Sequence, residues 1–306
     1  WVSSAPHPAE GPLRLGSAGA RYLSMQGTLP LAEPGGHQTC LGCTGRQDAW
    51  YSGPIATIAM IVAFIVYSTY RAFEGTHYYA EPYLSPFFSP PLLVNPGVAG
   101  AVGVEHAWLN GVMGGWPKWL PGFVTPAMFI LIFPGAFRFT CYYYRKAYYR
   151  AFVASPVGCA VGARRPGSYE GERGLLLFQN LHRYALYFAV IFIFILYYDA
   201  FIAFFKKDAA GVSHFGVGVG TIVLLINATL LAAFTFGCNS FRHLVGGRLN
   251  WFSTNPGRFN LWKGVSVLNG RHMELAWASL FWVGFSDVYV TLVSRGLLPD
   301  FNTWGF

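Results

Sequence analysis

The sequence predicts an all-α integral membrane protein: a bundle of five transmembrane helices with an interfacial loop segment after the first helix. Three observations lead there. Of 306 residues, 54% are hydrophobic and only 11% are charged, against roughly 25% charged in soluble domains. Five apolar stretches approach the roughly 17–25 residues that a bilayer-crossing helix needs. The Lys and Arg residues gather beside those stretches, as they do in oriented membrane proteins. The net charge of +8 therefore reads as orientation and contact with anionic headgroups. Nucleic acid is set aside, because no basic run is interleaved with stacking aromatics in a polar context.

Residues 1–50 lack an apolar core of signal-peptide length and are rich in Pro, Gly, Ser and Ala. They are expected to form a flexible arm ahead of a membrane domain over 51–306. Within the arm, Cys40-Leu-Gly-Cys43 has C-x-x-C spacing. Zinc would need two further ligands there, and His37 is the only nearby candidate, so the pair is read as incidental.

The first span is expected at 54–70, with Pro54 suited to a helix start. Residues 74–121 are rich in Gly, Pro and aromatics. Within them, Tyr83-Leu-Ser-Pro-Phe-Phe-Ser-Pro90 cannot form a regular helix, and the segment is expected along the membrane interface, where Tyr and Trp rings are favoured. The second span is expected at 123–142 with a kink at Pro134. The remaining spans are expected at 181–205, 217–238 and 273–293.

Orientation follows from the bases. Residues 142–183 hold Arg145, Lys146, Arg150, Arg164, Arg165, Arg173 and Arg183, and residues 239–272 hold Arg242, Arg248, Arg258, Lys263 and Arg271. The opposite side has Arg71, Lys118, Lys206, Lys207 and Arg295. The positive-inside rule then places the N-terminus in the cytoplasm and the C-terminus outside.

The same predicted cytoplasmic side gathers Cys141, Cys159, His182, Cys238, His243 and His272. Two thiolates and two imidazoles are the donor set of a Rieske-type [2Fe–2S] cluster, whose neutral imidazoles raise its potential. Such a centre passes electrons to a quinone, and imidazole ligation couples the transfer to protons. The tight C-x-H and C-x-x-H pairs of soluble Rieske domains are absent. Other readings stay open. The cysteines also suit helix packing as small buried hydrophobes, with the histidines as interfacial hydrogen-bonders. His182 and His243 also suit axial ligation of a haem b, which leaves Cys141 and Cys159 idle. A cofactor-free scaffold or transporter is a third class, but no internal repeat supports it.

Ionisable groups at membrane depth are functional candidates. Arg138 shares a helix face with Cys141 at i, i+3, where it either neutralises cluster charge, binds a quinone carbonyl or snorkels to headgroups. Glu274, beside Arg271 and His272, is placed for a proton relay or a salt bridge. Asp287 lies in the middle of the fifth span, Asp199 is expected to face water, and Asn227 is expected to bridge helices. Tyr142, Tyr143, Tyr144, Tyr148 and Tyr149 suit hydrogen bonds to quinone and cluster or an interfacial belt. His77, His106 and His214 fall on the other side and are given no cluster role.

The runs Phe137-Arg-Phe-Thr-Cys-Tyr-Tyr-Tyr-Arg-Lys-Ala-Tyr-Tyr-Arg150, Gln179-Asn-Leu-His-Arg-Tyr184 and Phe241-Arg-His-Leu-Val-Gly-Gly-Arg-Leu249 bring a family into view. With Tyr83-Leu-Ser-Pro-Phe-Phe-Ser-Pro90, they resemble the membrane-anchor subunit of actinobacterial-type succinate dehydrogenase. The resemblance covers about 46–295 and leaves Cys40 and Cys43 outside. It implies a multi-pass anchor without haem b in the bacterial plasma membrane, docking a flavoprotein and an iron–sulfur subunit on its cytoplasmic face. It further implies that electrons from succinate pass through a membrane-embedded Rieske-type cluster to a quinone, menaquinone by the same analogy. The implied cluster ligands fall on Cys141, Cys159, His182 and His243, with Cys238 as the alternative second thiolate. Arg138, Tyr142, Tyr143 and His272 are the candidates for touching the quinone or the cluster's surroundings. The chain has no G-x-G-x-x-G fingerprint and no Cys spacing for further clusters, so the enzyme is the assembly.

Overall fold

The computed structural model describes residues 40–305 except 96, 114–115, 118, 120, 122, 165–175 and 248–249; residues 1–39, most of the expected arm, lie outside the described residues. Helix α1 (Ser52–Glu74) begins as Pro54 suggests and ends at Gly75. Gly75 adopts φ 60°, and its amide donates to the Arg71 carbonyl. A Cβ there would stand 2.5 Å from Thr125 Cγ2, so both the left-handed turn and the close approach call for glycine.

A short antiparallel hairpin follows, β1 (Tyr79–Ala80) and β2 (Tyr83–Leu84), with Tyr79 opposite Leu84. The peptide bonds Glu81–Pro82 and Ser89–Pro90 are cis. After the short α2 (Asn110–Met113) come α3 (Pro126–Ile130), α4 (Ile132–Thr140) and α5 (Tyr142–Ala147), then a π-helical turn at Tyr148–Phe152. Helix α6 (Leu176–Ile202) leads into a second hairpin, β3 (Phe205–Lys207) with β4 (Ser213–Phe215). The chain finishes with α7 (Val219–Phe236), α8 (Asn239–Gly246), α9 (Pro256–Gly270) and α10 (His272–Ser294). Helix α7 packs against α6 and α10, and α4 packs against α6.

Among the described residues, four helices are long and apolar enough to cross a membrane: α1, residues Asn180–Ile202 of α6, α7 and α10. The expected second span, 123–142, is instead the shorter broken run Pro126–Thr140. Its break comes at Leu131, one turn before the expected kink, because Pro134 has no amide to offer the Ile130 carbonyl. The ladder resumes with the Gly135 amide on the Leu131 carbonyl at 2.9 Å. Helices α8 and α9 fill a segment where only a basic connection was expected. Helix α9 starts on Pro256, with the Asn255 side chain accepting from the Arg258 amide at 3.1 Å, a side-chain N-cap followed by proline.

The loop before α3 departs most from expectation. Its Tyr83-to-Pro90 stretch is folded into the bundle: Tyr83, Phe87 and Phe88 are at most 2% exposed. Two polar anchors hold it in the bundle. The Ser85 hydroxyl donates to Asp287, and the Ser89 hydroxyl donates to Asp199. Asp287 also accepts from Tyr67 Oη at 2.6 Å and from Arg71 Nε at 2.8 Å. Arg71 bonds Glu74 and the Thr76 carbonyl as well. The mid-span carboxylate is thus the centre of a satisfied ionic network. Asp199, expected to face water, is half-buried against the loop. Asn227 is buried with its Oδ1 unpaired.

The C-terminal tail is tied in by Asp300. Its carboxylate accepts from Tyr83 Oη at 2.7 Å, from Tyr289 Oη at 2.5 Å and from the Gly220 amide, in the first turn of α7, at 3.0 Å. Charge-assisted bonds at a helix N-terminus are among the stronger ones. Asp300→Ala is expected to cost about 2 kcal/mol, read as a lowered thermal midpoint in detergent. An unchanged midpoint would contradict the assignment.

Candidate functional site

The site is built from a repeated joint. Cys141 sits between α4 and α5 with φ −66° and ψ 138°, and Cys238 sits between α7 and α8 with φ −64° and ψ 140°. Each cysteine occupies the N-cap of a short helix after an apolar one, and Cys238 Sγ accepts from the Ser240 amide at 3.3 Å. The sequences around the joints match. Residues 137–145 and 234–242 both read Phe-x-Phe-x-Cys-x-x-aromatic-Arg.

Each joint is followed by a histidine on the next long helix, His182 on α6 and His272 at the start of α10. The pairing crosses over. His182 Nε2 lies 3.0 Å from Cys238 Sγ, and His272 Nε2 lies 3.6 Å from Cys141 Sγ. All four residues are at most 6% exposed. The ring of Phe137 stacks on His182 at 4.6 Å, and Phe234 stacks on His272 at 4.8 Å. The two phenylalanines meet edge to face at 5.4 Å. Each motif therefore supplies the aromatic plate for the imidazole that follows it and the thiol for the opposite repeat's imidazole.

Two details bear on what the pairs can hold. His182 Nδ1 faces Thr140 Oγ1 at 2.9 Å, and that hydroxyl also donates to the Ala136 carbonyl at 2.8 Å. His272 Nδ1 is buried without a hydrogen-bond partner. Among the described residues, no group of three or more His, Cys, Asp or Glu side chains converges on one ion. The arrangement is two pairs. A mononuclear site needs its ligands around a single point, whereas two buried thiol–imidazole pairs offer the same donor types, two thiols and two imidazoles, as a binuclear Rieske-type group.

The residues singled out from sequence are distributed unevenly. Cys141, His182 and Cys238 come together. Cys159 does not join them: it is exposed in the loop after the π-helical turn, where its carbonyl accepts from Arg46 Nη1 at 3.0 Å. That loop is instead bound to the Cys40–Cys43 turn, a disulfide here, through the Gly42 amide on the Gly162 carbonyl and the Gly162 amide on the Cys43 carbonyl. His243 is exposed on α8. Five residues beyond the N-cap, the helix has carried it away from the joint. His272, expected beside the centre, is one of the four converging residues. Arg271 and Glu274 are exposed. The Tyr143 ring tilts against His272 at 5.4 Å, while Tyr142 is exposed under the Arg145 guanidinium.

Arg138 lies over the Phe234 ring at 4.8 Å. Its Nη1 donates to Tyr144 Oη at 2.7 Å and to the Ala276 carbonyl at 3.0 Å, and its Nη2 donates to Ser279 Oγ at 2.9 Å. A cavity of about 320 Å³ opens beside it, walled by apolar side chains with Arg138, Tyr144 and Tyr148 as its main polar groups. Tyr144 was one of five tyrosines the sequence offered without a choice among them, and the pairing role of His272 was not assigned from sequence. The signal that finds His272 is the repeat: a histidine lies in the first two turns of the spanning helix after each motif.

A family model of the actinobacterial succinate dehydrogenase subunit SdhC matches residues 52–296. The chain belongs to this family. It is similar to a chain of the Mycobacterium smegmatis Sdh1 complex in the apo form, at 40% identity and a TM-score of 0.72, over 84% of this chain and 92% of that one. No curated protein matches the chain. As an SdhC-family chain it is a membrane-anchor subunit of succinate dehydrogenase, part of an oxidoreductase assembly with other subunits as partners. The 52–296 match begins with α1 and ends just beyond α10. It includes both Phe-x-Phe-x-Cys motifs and leaves the Cys40–Cys43 turn outside.

Proposed function

We propose that the chain is the electron-transferring anchor of a succinate:quinone oxidoreductase, with Cys141, Cys238, His182 and His272 holding a Rieske-type [2Fe–2S] cluster. The observation that carries the reading is the crossed pairing of two buried thiols with two buried imidazoles at the repeated joints. When bound, such a cluster supplies one-electron transfer at a potential raised by its imidazole ligands. His272 and Cys238 thereby take the places that the family resemblance gave to His243 and Cys159. The haem b alternative is less favoured, because His243 is exposed on α8.

The chain's own residues prepare the site. Thr140 fixes the orientation and tautomer of His182 through Nδ1, the role that outer hydrogen bonds play for metal-bound imidazoles. Phe137 and Phe234 cover the two rings and keep water from them. Arg138 places a cation against Phe234, beside the cavity. That cavity suits a quinone ring: mostly apolar walls with a few convergent polar groups define a small-molecule site. The Arg138 guanidinium is positioned to stabilise negative charge on a quinone oxygen as it is reduced. Menaquinone remains the quinone of choice by family analogy. In this reading a flavoprotein and an iron–sulfur subunit dock at the basic, cysteine-bearing end, which faces the cytoplasm.

Arg138→Gln tests the quinone assignment. Loss of a charge-assisted hydrogen bond should raise the quinone KM about tenfold to a hundredfold, with artificial-acceptor succinate oxidation unchanged. A wild-type KM in steady-state quinone reduction would remove Arg138 from the reading.

A further inference from the structure

A second cavity, of about 770 Å³, lies at the end of the bundle away from the cysteines, between the end of α6, strand β3 and the loop around the β1–β2 hairpin. Its walls differ in chemistry. Tyr198, Phe201 and Ile202 form one side. They are exposed on a helix of spanning length, so that wall is continuous with the surface facing hydrocarbon. Trp108, also exposed, stands at the rim, and amphipathic rings of this kind sit at headgroup level.

The other side is charged. It carries the carboxylates of Glu81, Glu105 and Asp199 against one ammonium, that of Lys207. His106 lines it too, with Nδ1 at 3.3 Å from Glu105 Oε1. The field is felt by a neighbour: burial, together with the Glu81 and Glu105 carboxylates, pushes the Tyr79 phenol up to about 12. An apolar wall that opens to lipid, joined to a polar wall at the end of a span, accommodates an amphiphile. The excess of carboxylates selects against an anionic headgroup.

We propose that this cavity binds a zwitterionic phospholipid with a primary amine in its headgroup. Its ammonium is held by Glu81 and Glu105, its phosphate meets Lys207, and an acyl chain runs along Tyr198, Phe201 and Ile202. A primary ammonium donates hydrogen bonds to carboxylates and a quaternary one does not, so phosphatidylethanolamine is preferred over phosphatidylcholine. The site is independent of the redox reading and lies at the other end of the chain's long helices.

The test uses the assembled complex, delipidated in mild detergent and exposed to vesicles of equal parts phosphatidylethanolamine, phosphatidylcholine and phosphatidylglycerol. Lipid retained per chain is quantified after re-purification. Phosphatidylethanolamine should be enriched over both others, and Glu81→Gln with Glu105→Gln should cut its retention roughly tenfold without altering succinate oxidation. If the double variant fails to assemble, Lys207→Gln, on an exposed strand residue, should lower phospholipid retention by itself. Equal retention of the three lipids, preference for phosphatidylglycerol, or enrichment unchanged in the variants would overturn the proposal, as would recovery of quinone in place of phospholipid.

Discussion

Converting His182 and His272 to Ala together is expected to abolish quinone reduction by the assembled complex while sparing succinate oxidation by artificial acceptors at the flavoprotein. Losing the groups that merely orient metal ligands costs about 10–100-fold, so losing two ligands should exceed that. The controls are as informative as the variant. His243 and Cys159 are exposed, and His243→Ala or Cys159→Ala should leave quinone reduction near wild type. The opposite pattern, with His272→Ala active and His243→Ala dead, would restore the ligand set implied by the family's motif strings. Succinate oxidation separates these outcomes from failure to assemble.

The second large effect is expected at Asp287. Arg71 and Asp287 are at most 1% exposed, on helices α1 and α10, and the carboxylate also holds Tyr67 and Ser85. Asp287→Ala leaves the Arg71 guanidinium buried with Glu74 as its remaining ion-pair partner. Breaking a buried pair from one side costs about 3–5 kcal/mol, whereas apolar replacement of both partners is often close to neutral. Asp287→Ala should therefore lower the thermal midpoint in detergent sharply and free the 75–125 loop to proteolysis. Arg71→Met with Asp287→Leu should recover much of the loss. A single variant as stable as wild type would show that the network does not hold the loop.

Much of the fold was legible because lipid imposes a simple rule. Uninterrupted apolar runs became α1, α6, α7 and α10, with ends within a few residues of expectation. The broken run around Pro134 was harder to read, since apolar composition alone does not say whether a helix survives a missing amide. The buried stretch 82–91 was illegible for another reason. Its cohesion depends on Ser85 and Ser89 reaching carboxylates more than a hundred residues away, and local composition carries no trace of such partners. Of the proposed site, the residue types were readable, and Cys141, His182 and Cys238 were already among the candidates from sequence. The choice between His243 and His272 turned on direction: the first rides outward on a short helix, while the second opens a long one. The twice-used Phe-x-Phe-x-Cys-x-x-aromatic-Arg motif was present in the sequence as the missing clue, but its meaning needs the crossed contacts.

Electron paramagnetic resonance of the reduced complex shows whether the crossed Cys/His pairs hold a cluster. A Rieske-type signal is expected, with a mean g value below that of the free electron. It should vanish in His182→Ala and in His272→Ala and persist in His243→Ala and Cys159→Ala. A complex without that signal, or one that keeps it after His272→Ala, would contradict the crossed Cys/His site.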